Sequence, residues 1–171
     1  MDSWDAITAR RQVRDFADQP IAEATLHQIL EAARRAPSAR NGQPWDLVVV
    51  SNKAQLRRLA GVWRGAGWIP ASAVTVALVV PIAEDDRGRL MTRFDAGQLA
   101  TQLTIAATGL GVASGQAACA DQALAQQILG FPDGHECVLL IALGYPKTRP
   151  LVPIVRPDRR AFDDVVHFER W

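Results

Sequence analysis

The sequence has 171 residues, 49% of them apolar, enough for one domain whose core needs neither disulfides nor a metal. Nineteen Lys and Arg stand against 18 Asp and Glu, so the basic excess that long polyanions select is missing and nucleic acid is excluded as a first reading. Cys119 and Cys137 form no CxxC or Cys/His cluster; they read as a buried pair of free thiols, and no metal is expected.

Met1-Asp2-Ser3-Trp4-Asp5 has no basic stretch followed by an apolar one, so it is not a signal peptide. The longest apolar run, 73–83, is far short of the ~20 residues of a membrane helix. A soluble, cytoplasmic protein with no membrane partner is expected. Residues 4–11 read as a short helix capped by Asp2 or Ser3. Ile21 to Ala36 carries Leu26, Ile29, Leu30 and Ala33 at helical spacing, bounded by Pro20 and Pro37. Leu47-Val48-Val49-Val50, within 46–51, predicts a strand buried on both faces. A helix over 54–59 precedes the Gly-rich Arg64-Gly65-Ala66-Gly67, and 73–80 predicts a second buried strand closed by Pro81.

The longest helix is predicted over 93–109, with Leu99, Leu103, Ala106 and Leu110 on one stripe. Its other faces carry few charges and many small residues, which predicts burial all round. Asp95 reads as an acid at its N-terminal end. Residues 112–119 predict a third strand, 121–129 a capped helix ended by Gly130, and 137–143 a fourth strand. His27 reads as a surface residue, His135 as part of a turn and His167 as a packing or interface residue. From Lys147 onward prolines alternate with basic residues, so this arm, 147–171, cannot build a core of its own. Val165, Val166, Phe168 and Trp171 gain by burial, which favours a partner subunit. Strands alternating with helices argue for layers around one central sheet, of α/β type, in one domain over 1–171.

Three polar segments stand out. Arg10-Arg11-Gln12-Val13-Arg14-Asp15-Phe16 puts three arginines within five residues, and guanidinium forks suit phosphate oxygens. In an extended segment Arg10, Gln12 and Arg14 share one side; a solvated basic helix end is the bland alternative. The loop from Ala36 to Trp45 holds Ser38, Asn41 and Gln43, whose amides and hydroxyl suit the edge of a heterocycle, or serve only as turn formers. Arg156 to Phe162 is a second basic cluster, containing Arg159 and Arg160. Paired carboxylates, a Ser/His/Asp set and an activated cysteine are all missing, so no side chain is assigned as catalytic.

Taken in order, RRxVRxF, APSxxNxQPW, LGYP and a basic tail ending in VVHxxxW resemble the FMN-dependent nitroreductases along nearly the whole chain. The resemblance implies an α+β, three-layer, nitroreductase-like fold: a central mixed sheet flanked by helices, and a tail swapped onto the partner of a homodimer. It implies FMN as cofactor, held by Arg10, Arg11, Gln12 and Arg14, by Ser38, Asn41 and Gln43 from the partner subunit, and by Arg159 or Arg160 of the tail. Gln116, Ala117 and Ala118 match a turn whose backbone amides lie near the reactive edge of the flavin. The implied activity is two-step: hydride comes from NAD(P)H, then electrons pass to a nitro, quinone or similar small acceptor. The family has Ser where this chain has Gln12, and a Glu-Gly or Ile-Gly type sequence at Ala117-Ala118. Two alternatives stay open, a cofactor-binding protein without turnover and a deazaflavin in place of FMN.

Overall fold

Side chains from Val74 to Val80 alternate between two separate apolar cores, and the remaining elements are arranged on either side of that strand. The computed structural model describes residues 1–171, in the order α1 (Ser3–Ala9), α2 (Glu23–Arg34), β1 (Asp46–Val50), α3 (Lys53–Leu59), β2 (Val74–Pro81), α4 (Asp86–Gly109), β3 (Ala113–Ala117), α5 (Gln122–Leu129) and β4 (His135–Gly144). Val74, Val76, Leu78 and Val80 of β2 pack with Ile141 and Leu143 of β4 against Ile29 and Ala33 of α2 and Leu99, Leu103 and Ala107 of α4. On the opposite face Ala77, Val79 and Leu140 meet Leu56 and Leu59 of α3, Ile69, and Ala125 and Ile128 of α5. The result is a three-layer α+β fold, in which each fully buried Leu or Ile contributes about 1.5–3 kcal/mol.

The strand order is β1-β2-β4-β3, and each neighbouring pair is antiparallel. The sheet expected to be mixed therefore has only antiparallel ladders, its single parallel pairing being the isolated bridge between Gln12 and Ser114. The reason is insertion. β2 and β3, joined through α4, do run parallel, as helix–strand alternation suggests, but β4 lies between them.

Other expectations also need correction. β1 is an edge strand, with only Val50 buried and Val49 40% exposed, because an apolar run does not distinguish a central strand from an edge. α4 begins at Asp86, where the Asp85 carboxylate accepts the Gly88 N–H at 2.6 Å, seven residues before the predicted start. Asp95 is consequently in mid-helix, and is buried. Nor is α4 buried all round in this chain: Leu99, Ala100, Leu103 and Ala107 face the core, while Leu90, Met91 and Phe94 are exposed. Finally, His135 is the first residue of β4, and the turn before it is made by Gly134 at φ 77°.

The other helix boundaries follow from their caps. Asn52 accepts from Ala54 and Gln55, both at 3.0 Å, and starts α3; Asp121 accepts from Leu124 at 2.9 Å and starts α5, which Gly130 closes in the left-handed region. The arm beyond Lys147 has one short turn, Phe162–Asp164, and touches the body where Ile154 N–H donates to Thr8 O. Val155, Phe162, Phe168 and Trp171 are exposed. No helix is long and apolar enough to cross a membrane.

α1 stops at Ala9, two residues earlier than predicted, and the chain beyond it lies extended along β3. Val13 N–H donates to Ser114 O at 2.9 Å, and Ala17 N–H to Tyr145 O at 2.8 Å. This approach requires Gly115: a Cβ there would meet the Val13 carbonyl oxygen at 2.1 Å and the Trp68 ring at 2.8 Å. Gly115→Ala is expected to lower unfolding stability by about 3 kcal/mol, measured in urea, as overpacking against fixed backbone does. Gly67→Ala, where a Cβ meets nothing within 4 Å, should stay within about 0.5 kcal/mol of the parent.

Candidate functional site

The extended backbone after Ala9 separates the basic segment into two directions. Gln12 donates its Nε2 to Gln116 O at 2.6 Å, and the Arg14 guanidinium lies 5.9 Å from the Trp68 ring centroid, within cation–π range. Trp68 is held by its own Nε1–H to Gly65 O at 2.8 Å and lies 6.4 Å from the Phe16 ring. Arg11 turns the other way and donates to the carbonyls of Arg149 and Pro150, so it ties down the start of the arm. Its Nη1 is buried without a partner, and burial, with Arg149 close by, lowers its pKa from the usual arginine value.

All ion pairs of the chain lie elsewhere, at Glu31 with Arg34 and Arg35, Asp86 with Arg89, and Glu136 with Arg93. Arg10 and Arg14 thus bring two uncompensated positive charges to the segment along this edge of the sheet, while Arg11 faces the arm. Gln116 and Ala117 are the last residues of β3, paired with Ile141 and Leu140, and Ala118 follows as an exposed residue. The structure brings this strand end together with Gln12, as a strand terminus rather than the expected turn.

The second polar segment is built differently. The buried Asp95 carboxylate accepts the Ala39 N–H with both oxygens, at 3.2 and 3.1 Å, and the Gln98 amide at 3.1 Å. Ser38 Oγ accepts the Gln43 N–H at 3.0 Å, and Gln43 Nε2 donates to Asn41 O at 3.1 Å. Arg40, Asn41 and Gln43 have φ of 54°, 57° and 48°, whereas Gly42 is in the right-handed region at −68°. Left-handed backbone costs a non-glycine residue about 1 kcal/mol or more. The loop is therefore held in a strained shape by its tethers, chiefly Asp95, while Asn41 and Gln43 stay exposed.

These two segments do not meet in one chain. The loop leads into β1 and Gln116 ends β3, and these strands are opposite edges of the sheet, about 14 Å apart at three strand spacings. A second yardstick agrees. The loop is pinned at Asp95, whereas α1 packs at Gly109, where an added Cβ would lie 3.7 Å from that of Ala6; fourteen residues of helix span about 21 Å. Arg159 and Arg160 are exposed on the arm and donate to the carbonyls of Asp158 and Asp164, away from both segments. A cavity of about 770 Å³ runs along the outer face of α4, lined by Pro37, Phe94, Gly97, Thr101, Ile105 and Ala106 among others.

Asp95, expected only as a helix-end acid, and Trp68, not singled out in the sequence, are both positioning residues. Asp95 stands four residues before Leu99 and eight before Leu103, on the apolar stripe itself, and that spacing was the available signal for a buried carboxylate. Trp68 gave no signal beyond lying next to a Gly-rich connection. Of the histidines, His27 is exposed and His167 stacks on Trp171 at 4.6 Å within the arm.

The family model described as "Nitroreductase family" matches residues 7–70 and 63–145. The chain belongs to the nitroreductase family, and it is an oxidoreductase. A protein of Archaeoglobus fulgidus, provisionally named NADH dehydrogenase/NAD(P)H nitroreductase, is 29% identical over 170 residues, covering 96% of both chains. An NADH dehydrogenase of Thermus thermophilus is 31% identical over 180 residues, covering 85% of this chain and 87% of its own. Among solved structures, an FMN-dependent nitroreductase of Clostridium difficile R20291 superposes with a TM-score of 0.85 at 20% identity, over 98% of this chain and 99% of that one.

Removing the Asp95 charge tests the tether. Asp95→Asn turns an NH2 toward donors, and the amide hydrogen of Ala39 is expected to exchange at least tenfold faster, with a stability loss of about 2 kcal/mol. Unchanged exchange at Ala39 would show that the loop is held by something else.

Proposed function

We propose that the protein is an FMN-dependent oxidoreductase that takes hydride from NAD(P)H and passes electrons to a nitro, quinone or similar small acceptor, with each FMN bound between two subunits. The observation that carries this reading is the uncompensated charge of Arg10 and Arg14 on the segment that lies along β3, with Gln12 between them bonded to the strand end at Gln116. The residues fit the group. A flavin phosphate is a dianion that guanidinium forks bind with charge-assisted hydrogen bonds, and the guanidinium groups of Arg10 and Arg14 have no carboxylate partner within the chain. When bound, FMN supplies the hydride-accepting and electron-donating chemistry.

The chain's own residues bind and orient. Arg10 and Arg14 neutralise the phosphate, and Arg159 or Arg160 from the arm adds a further guanidinium. Gln12 has committed its Nε2 to Gln116 O, so its Oε1 is left to accept an N–H from the polar edge of a heterocycle. This longer side chain thereby does the work of the family's Ser from further back. Ser38, Asn41 and Gln43 contribute from the second subunit, on a loop already bent into its binding shape. Main-chain groups at Gln116, Ala117 and Ala118 border the reacting edge, so no acid or base side chain is called for.

Dimerisation is supported by three features that one chain leaves unsatisfied. The outer face of α4 exposes Leu90, Met91 and Phe94. The free edge of β1 has no strand beside it, whereas the β3 edge is covered by the bridge from Gln12 to Ser114. The arm holds its apolar residues in solvent. An arm crossing to the partner's β1 edge accounts for the last two, and a second copy packed on the outer face of α4 accounts for the first.

The first measurement is the visible spectrum of the purified protein, with the released chromophore identified by mass; a deazaflavin, or no chromophore and no FMN uptake, would overturn the assignment. Arg10→Ala with Arg14→Ala is expected to weaken FMN binding about 100-fold or more, from two charged contacts of about 1.5 kcal/mol each. Mixed dimers test the shared site. A chain carrying Arg10→Ala and Arg14→Ala, paired with one carrying Ser38→Ala and Asn41→Gly, should recover one intact site per dimer. Recovery of none would mean that both segments serve the same subunit's ligand.

A further inference from the structure

Cys119 and Cys137 are the only cysteines of the chain and are 18 positions apart, yet the fold brings them into one core, where a single carboxamide bonds to the backbone of both. Ala117 pairs with Leu140, so the chain leaving β3 continues along the first half of β4, where Cys137 stands. Both residues pack in the core that α3 and α5 cover. One side chain from α5 locks the two backbones together: Gln122 donates its Nε2 to Cys119 O at 3.0 Å and to Cys137 O at 2.8 Å, and its Oε1 accepts the Cys137 N–H at 2.8 Å. A carboxamide satisfied in this way on both cysteines fixes their separation more firmly than apolar packing alone.

The two thiols are unequal. Cys137 is fully buried, while Cys119 keeps part of its surface in solvent, one residue beyond Ala118. Each thiol has a backbone carbonyl at 3.8 Å, Asp121 O for Cys119 and Leu139 O for Cys137, and the nearness of the Cys137 thiol favours charge on Cys119. It holds the Cys119 pKa below that of an ordinary thiol, against the opposing effects of burial and of Asp121. The same nearness of the thiols, with burial and the charge on Cys119, pushes Cys137 up. An accessible thiolate beside a buried thiol is the arrangement of an attacking and a resolving cysteine.

We propose that Cys119 and Cys137 form a reversible intramolecular disulfide when the protein meets a peroxide. The Cys119 thiolate attacks one peroxide oxygen, the O–O bond breaks, and hydroxide leaves and takes a proton, giving a sulfenic acid on Cys119. The Cys137 sulfur then attacks the Cys119 sulfur. The S–O bond breaks, and the departing hydroxide takes the Cys137 proton to leave as water. Two thiols have lost two electrons and two protons, and one peroxide has become two waters. A small thiol reverses the reaction by exchange. The bond closes a loop containing all of α5 and fastens the stretch after Ala118 to β4, so the strand end that borders the candidate flavin site is tethered in the oxidised form. The disulfide itself does not depend on the flavin reading.

The test uses the full chain as purified, reduced and freed of reductant, with hydrogen peroxide as the probe and no NAD(P)H present. Free thiols are alkylated after denaturation and the mass is read on the intact chain. Both thiols are expected to disappear together with a mass loss of about 2 Da, a peptide linking Cys119 to Cys137, and full reversal by dithiothreitol. Cys137→Ser should stop at a sulfenic acid on Cys119 that dimedone traps, and Cys119→Ser should leave Cys137 unreacted. Two thiols still alkylated in the parent chain, oxidation of Cys119 to sulfinic acid without a link, or a bond between two chains would each overturn the proposal. Because thiol mass is the readout, a protein lacking FMN gives the same result, and failure here leaves the flavin assignment standing.

Discussion

The missing side chain at Gly115 lets a stretch of irregular backbone lie directly against the edge of a sheet, with the Val13 carbonyl oxygen where a Cβ would otherwise be. That contact covers an edge that would otherwise expose unpaired N–H and C=O groups. It also sets the rotation of the extended segment. Gln12 reaches Gln116 and Arg14 lies over Trp68, while Arg11 is turned toward the arm. Moving the segment outward by the width of one methyl group would disturb all three at once. The charge at this edge is therefore positioned by backbone packing, without any carboxylate to hold it.

The loop from Ser38 to Gln43 is organised by the opposite means. A carboxylate buried in mid-helix with only N–H donors around it is costly unless its hydrogen bonds are kept. Asp95 keeps them by reaching the Ala39 amide with both oxygens. The strained residues Arg40, Asn41 and Gln43 are thus held by a tether to the most deeply packed helix of the fold. Flexible glycine plays no part in the left-handed positions, and this separates the loop from an ordinary turn.

What could be read from the sequence was mostly what short-range chemistry dictates. Asp121 and Gly130 marked α5, Pro81 marked the end of β2, and the arginine cluster marked an anion edge, because capping, proline and charge act within a few residues. The start of α4 was harder to read: Asp85 caps it, and the helix begins at Asp86, 13 residues before Leu99 opens its apolar stripe. Val48 and Val49 look the same in a central strand and in an edge strand, since β-branching reports pleat and partial burial but not neighbours. Trp68 gains its role only from long-range packing against Phe16, Arg14 and Gly115, which no local window contains. Gln12 was legible as a departure from its family. Its use of Gln116 O became visible only once β3 lay beside it.

The two polar segments lie at opposite edges of the sheet, and that separation has a thermodynamic consequence. A ligand that touches both cannot be held by a chain on its own, so on the two-subunit reading ligand binding and subunit association share one free energy. Ligand then tightens the assembly by the same factor by which assembly tightens the ligand. Dilution becomes a way of releasing the cofactor, and the loop strain held by Asp95 becomes a contribution to quaternary structure as much as to a binding pocket.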